Sequence, residues 1–241
     1  MRGLAPLLLA MSACSPSGES NEAANAPDRQ LAATVTIVST GGADCAIRWN
    51  GARVSQEALT RAGLRINLEA VERLDAELRS YPPGEAHEYD GYLGPYVRVE
   101  AQRGLPYSCF GPALGALQRG AFSLVTLRPA GEQAPEQRAW FAVGSPGSTR
   151  RYAAIVRLAA GGRMTWNGEA VDLNGLRQRV RALGGQTLDD VVVAPAAEAD
   201  FMAVYEAIRV VGEEKAGGAN MMPILSGCAG TTGPVREPPV C

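Results

Sequence analysis

Apolar positions along this chain alternate, then recur at helical spacing, then alternate again, and the series runs twice. Residues 31–38 (LAATVTIV) are rich in β-branched side chains and predict a strand. Gly41-Gly42 turns the chain toward a second strand at residues 45–49, its hairpin partner. Asn50-Gly51 then predicts a tight turn, because both residues tolerate positive φ. Leu68, Val71, Leu74 and Leu78 recur at helical spacing among Glu69, Glu72, Arg73, Asp75, Glu77 and Arg79, the pattern of an amphipathic helix. Tyr81-Pro82-Pro83-Gly84 stops it. Residues 96–100 read as a third strand, residues 106–118 as a second helix with Leu114 and Leu117 inward, and residues 122–127 as a fourth strand that Pro129 closes.

The order then returns. Residues 152–158 predict a strand, 159–162 a turn, and 163–166 a strand followed by Asn167-Gly168. Leu173, Leu176, Val180 and Leu183 mark a helix, 190–194 a strand, 201–211 a second helix, and 221–225 a short final strand on which Pro223 is tolerated only at an edge. Trp49-Asn50-Gly51 and Trp166-Asn167-Gly168 stand 117 positions apart, while the third strands, at Val97 and Val191, stand 94 apart. The first copy therefore carries extra residues, placed around 56–66 and 82–94. A repeated series of this kind predicts duplication. The fold class expected is α+β, with two tandem small two-layer domains, each β-β-α-β-α-β, at residues 31–129 and 152–227. Residues 130–151 form the connector, whose apolar centre Trp140-Phe141-Ala142-Val143 is expected to lie back on a domain.

The N-terminus changes the picture by giving an address. Met1-Arg2 precedes a short apolar run, Leu4 to Met11, too short to span a bilayer and typical of a signal peptide over residues 1–13. Met11-Ser12-Ala13-Cys14 resembles the lipobox of bacterial lipoproteins, with Met11 where that pattern usually has Leu. The resemblance implies a lipid on Cys14, a membrane anchor and a periplasmic location, and Ser15 implies export to the outer membrane. An ordinary secreted protein with a cysteine beside its cleavage site is the alternative. Residues 14–30 are small and polar, predicting a flexible tether.

Composition excludes more than it suggests. Lys plus Arg is 23 against Asp plus Glu 25, with no basic stretch, which argues against a nucleic-acid partner. His87 is the one histidine, so a catalytic His dyad or a multi-His metal site has no material. Asp189-Asp190 and Glu213-Glu214 read as solvated surface, Ser123 and Ser226 have no base but His87, and Gly144-Ser145-Pro146-Gly147 is a turn. Gly41-Gly42 and Gly161-Gly162 lack the ending of a phosphate loop. The reading is of a non-enzyme without cofactor or metal.

With Cys14 lipidated, Cys45, Cys109, Cys228 and Cys241 remain, an even set that suits an oxidising compartment. Of the three connectivities, Cys45 with Cys109 and Cys228 with Cys241 is favoured: the first pair falls in one domain and the second closes the Gly/Pro-rich tail at 228–241. Tyr89, Tyr92, Tyr107 and Phe110 are the candidate partner contacts, against the plainer reading that they lie on their own domain.

Residues 155–158, the run Arg163-Met164-Thr165-Trp166-Asn167-Gly168-Glu169-Ala170-Val171, the helix near Leu173, the strand at 190–194, and Phe201, Val204, Tyr205, Ile208 and Val211 together resemble the periplasmic domain of the ExbD/TolR family of biopolymer-transport proteins. The first half fits more loosely, through residues 47–54, 96–100 and 106–127. Family members carry an N-terminal membrane helix with an aspartate, which this chain's short apolar segment does not reproduce. The resemblance implies an accessory or partner-binding role beside an ExbB/TolQ-like or TonB-like envelope protein, or a structural role holding peptidoglycan. It also implies that two copies in one chain pair as a built-in pseudo-dimer.

Overall fold

Alternation sets the first strand: β1 (Leu31–Gly41) turns Ala33, Val35 and Ile37 inward and leaves the residues between them partly exposed. In a computed structural model, residues 31–41, 44–80, 95–122, 124–141, 152–183, 190–215 and 224–225 are described. After β1 come β2 (Asp44–Trp49), β3 (Ala52–Val54), α1 (Gln56–Ser80), β4 (Tyr96–Ala101), α2 (Tyr107–Arg119), β5 (Leu124–Pro129) and β6 (Gln137–Phe141). The chain continues with β7 (Tyr152–Leu158), a 3₁₀ turn at Ala160–Gly162, β8 (Met164–Trp166), β9 (Glu169–Val171), α3 (Leu173–Ala182), β10 (Asp190–Pro195), α4 (Phe201–Lys215) and β11 (Ile224–Leu225).

This is an α+β fold: among the described residues, one mixed sheet in the order β3-β2-β1-β4-β5-β6-β11-β10-β7-β8-β9 and four helices. β1, β4 and β5 run parallel, as do β7, β10 and β11. One sheet face carries Val35, Ile37, Val97, Val99, Val125, Leu127, Phe141, Val156 and Val193, joined in a single apolar cluster with side chains from all four helices. At about 25 cal/mol per Å² of apolar surface, this shared layer is the main stabilising term.

The sheet links strands across the boundary expected between the two β-β-α-β-α-β units. The segment assigned to the connector contains β6, which pairs antiparallel with β5 and parallel with β11, so the sheet runs across the boundary without a break. Ala139 and Phe141 are buried on the helical face, so Trp140 and Phe141 of the expected apolar centre belong to a strand of the sheet, while Ala142 and Val143 lie outside the described residues. Each Asn-Gly turn leads into an additional short strand, β3 or β9, before the helix begins.

A correction concerns α1. The extra residues at 56–66 are helical, making α1 25 residues against 10 in α3. Among its described side chains Leu59, Gly63 and Ala70 are buried, while Leu68 and Val71 of the expected apolar face are exposed. What draws α1 inward is a close backbone approach. A Cβ on Gly63 would lie 2.9 Å from the Gly120 carbonyl oxygen and 3.0 Å from its Cα. Asn67 Nδ2 donates to the carbonyls of both Gly63 and Gly120 at 3.1 Å, and Thr60 Oγ1 donates to that of Ala116 at 3.1 Å.

This crossing yields a paired expectation for urea unfolding. Gly63→Ala forces α1 from α2 and lowers stability by about 1–3 kcal/mol despite the better helix former. Gly212→Ala in α4, where an added Cβ meets nothing within 4 Å, raises it by up to about 1 kcal/mol. Equal effects at the two positions would show that the α1–α2 approach is not tight.

Candidate functional site

The first backbone N–H groups of a helix have no partner within it. At the starts of α2 and α4 they are satisfied by each other's approach loops. Tyr107 N–H donates to the Ala199 carbonyl at 2.7 Å and Ser108 N–H to that of Ala197 at 2.8 Å. In return, Phe201 N–H donates to the Leu105 carbonyl at 2.9 Å and Met202 N–H to that of Arg103 at 3.2 Å. Pro106 and Asp200 face each other at the centre of this antiparallel bridge. Each residue of one loop matches the residue 94 positions later in the other, the spacing that also separates Val97 from Val191.

Local sequence explains why the chain stops here in both loops. Pro106 lacks an N–H and sits in extended backbone (φ −70°, ψ 152°), ready to begin a helix. Asp200 accepts from Ala203 N–H at 2.8 Å, a side-chain cap for α4. Around the bridge, the rings of Tyr107 and Phe110 meet edge-on at 4.9 Å, and those of Phe110 and Phe201 at 5.2 Å. Tyr205 Oη donates to the Pro135 carbonyl at 2.8 Å, tying α4 to the loop before β6. Arg103 pairs with Glu132 through its Nε (2.5 Å) and Nη2 (2.6 Å), and the hydrogen bond from Arg103 holds the Glu132 carboxyl below its usual range.

The two Asn-Gly turns form a second matching pair. Asn50 and Gly51 have φ of 48° and 87°, and Asn167 and Gly168 have φ of 51° and 94°, the two positive values that a tight hairpin requires. Asn50 Oδ1 accepts from Thr34 N–H at 2.9 Å while Asn50 N–H donates to the Thr34 carbonyl at 2.9 Å. Asn167 does the same with Ile155, at 2.9 Å and 3.0 Å. Each asparagine thus uses its side chain to extend the ladder of the first strand in its half.

Of the cysteines, Cys45 on β2 and Cys109 in the first turn of α2 form a disulfide, with Cα atoms 5.6 Å apart. It fastens the helix that begins at the bridge to the edge of the sheet. Cys14, Cys228, Cys241, Tyr89 and Tyr92 lie outside the described residues, as do His87, Ser123, Asp189, Ser226 and residues 144–147. Tyr107 and Phe110 are corrected: both are 0% exposed, so they are core residues at the bridge and offer a partner no surface. Burial also raises the Tyr107 phenol well above its usual pKa, which keeps it neutral. Glu213 and Glu214 are ion-paired rather than merely solvated. Glu213 accepts from Arg209 Nη1 at 2.8 Å, and Glu214 faces Arg181 and, at 3.0 Å, Arg177 Nε across α3 and α4.

The known proteins add no identity. No family model, curated protein or solved structure matches this chain.

Among the described residues no group of three or more His, Cys, Asp and Glu side chains could hold a metal ion, and no helix is long and apolar enough to cross a membrane. What sequence reasoning missed is the pairing of the loops 103–108 and 197–202, although Tyr107 was among its candidates. Their signal was available in Pro106-Tyr107 and Asp200-Phe201, which keep the 94-residue offset of the strands that precede them.

The disulfide closes 64 positions of chain, and the loop-entropy relation assigns such a link about 4 kcal/mol. A Cys45→Ala/Cys109→Ala double variant is therefore expected to lose about 2–4 kcal/mol in urea unfolding; an unchanged midpoint would remove the cross-link from the stabilising set. Asn50→Ala and Asn167→Ala should each cost about 1–2 kcal/mol by losing the side-chain bond and straining the positive φ. Their effects should add within about 0.5 kcal/mol, since the sites are far apart. A strongly non-additive double variant in the same assay would contradict two independent clamps.

Proposed function

We propose that this chain is a non-enzymatic, lipid-anchored envelope protein in which two ExbD/TolR-like halves form a pseudo-dimer within one polypeptide, and that it serves as a partner-binding accessory of energy-coupled biopolymer transport. The observation that carries this reading is the reciprocal bridge at Pro106 and Asp200, in which four backbone hydrogen bonds exchange under the 94-residue offset. Two copies of a symmetric subunit meeting on a two-fold axis make contacts of this kind, residue i to j and j to i.

Further support comes from the repeated order of three antiparallel strands, helix, parallel strand, helix, parallel strand in each half. The paired asparagine clamps mark equivalent points in both copies. The Cys45–Cys109 disulfide suits an oxidising compartment outside the cytoplasm. The lipobox-like residues before Cys14 supply the anchor, with the outer membrane favoured by Ser15.

Chemical crosslinking in native envelopes, followed by mass spectrometry of the purified chain, tests the role. Recovery of an ExbB/TolQ-like or TonB-like protein, on a chain whose mature N-terminus is a lipid-modified Cys14, is the expected result. Recovery of peptidoglycan fragments without such a partner would replace it with a cell-wall-anchoring role. An unmodified N-terminus with neither partner would overturn the proposal.

A further inference from the structure

Exposed large apolar side chains are confined to one place among the described residues: Leu64, Leu68 and Val71, at 48%, 59% and 54% exposure, all on α1. Their spacing of four and then three residues is that of a coiled-coil seam, and at 100° per residue the seam lies roughly 130° around the helix from the buried Leu59, Gly63 and Ala70. α1 thus has two apolar stripes, and the fold uses one. Beyond Ala70 the helix loses its support: among residues 71–76 only Leu74 is partly buried. The matching helix of the second half, α3, has 10 residues and no such stripe.

Charge beside the seam specifies what fits it. Arg65 and Glu72 sit one heptad apart on the same flank, on either side of Leu68. A two-fold axis crossing near Leu68 brings Arg65 of each chain against Glu72 of the other, twice, while Leu64, Leu68 and Val71 interleave with their own copies. A parallel arrangement would set Arg65 beside Thr60 and Glu72 beside Asn67 of the other chain, with no opposite charges to pair. Among the described residues, Arg65 pairs with Glu69 alone, at 3.9 Å between two exposed side chains, a weak contact that a partner's carboxylate can replace.

We propose that a second copy of this chain docks antiparallel along α1, through the Leu64, Leu68 and Val71 seam with Arg65 and Glu72 paired across the axis. This goes beyond the envelope role above and does not depend on it. A contact of this extent lies at the small end of specific interfaces, so the dimer is reversible and concentration-dependent.

Sedimentation velocity of the purified full-length chain over a wide concentration range tests it, with circular dichroism to verify folding of each variant. The native chain is expected to shift from monomer to dimer, and Leu68→Glu to remain monomeric. Arg65→Glu or Glu72→Arg alone should weaken association about tenfold, since each sets like charges together twice. R65E/E72R together should restore it. A native chain that stays monomeric throughout, a dimer indifferent to Leu68→Glu, or a double variant no better than the singles would overturn the proposal. So would cosedimentation with anionic phospholipid vesicles that Leu68→Glu abolishes while self-association is absent, because the seam would then serve a membrane surface.

Discussion

Four backbone N–H groups at the starts of α2 and α4 must find acceptors, and they find them in each other's loops. The rest of the fold depends on this constraint. A buried helix end without partners costs on the order of 1–3 kcal/mol for each stranded group. Neither helix start supplies its own acceptors in full: Pro106 gives α2 no side-chain cap, and Asp200 covers one N–H of α4. Separating the halves would strand all four bonds at once. The bridge therefore locks the relative position of the two helices, and with it that of the strands on either side of β6.

Around this lock the two sheet faces divide the work. The helical face is apolar and continuous from Val35 through Leu127 and Phe141 to Val156. The opposite face pairs its charges, with Arg98 on Glu136 at 2.6 Å and Arg128 on Glu100. A smaller apolar cluster, Ile155 and Val192 with Trp140 against them, lies apart from the main core and joins β6 to the second half. β6 contributes to both layers, which is why a segment rich in Gly, Pro and charge could hold a central place in the sheet.

The two halves are alike in order and unlike in detail. The first half has the disulfide and the long α1; the second has a short α3 tied to α4 by Arg177 and Arg181 on Glu214. If the halves descend from one unit, as proposed, the core and bridge retain the shared geometry while α1 acquires a surface of its own.

Strand and helix positions were legible in the chain because period-2 and period-3.6 burial are local properties. Leu114 and Leu117 took the inward positions expected of them. The Asn-Gly turns were legible because positive φ selects those residues, and the Cys45–Cys109 pairing followed from both cysteines falling in one half. Other features were decided only in three dimensions. Leu68 and Val71 form an apolar stripe by sequence, yet the Gly63–Gly120 approach turned a different face of α1 inward. Tyr107 and Phe110, aromatic beside polar residues, were taken into the core because the bridge closes over them. Residues 137–141 joined two halves into one sheet because strand pairing is non-local: hydrogen bonds to β5 and β11 depend on where those strands lie, which no window of sequence contains.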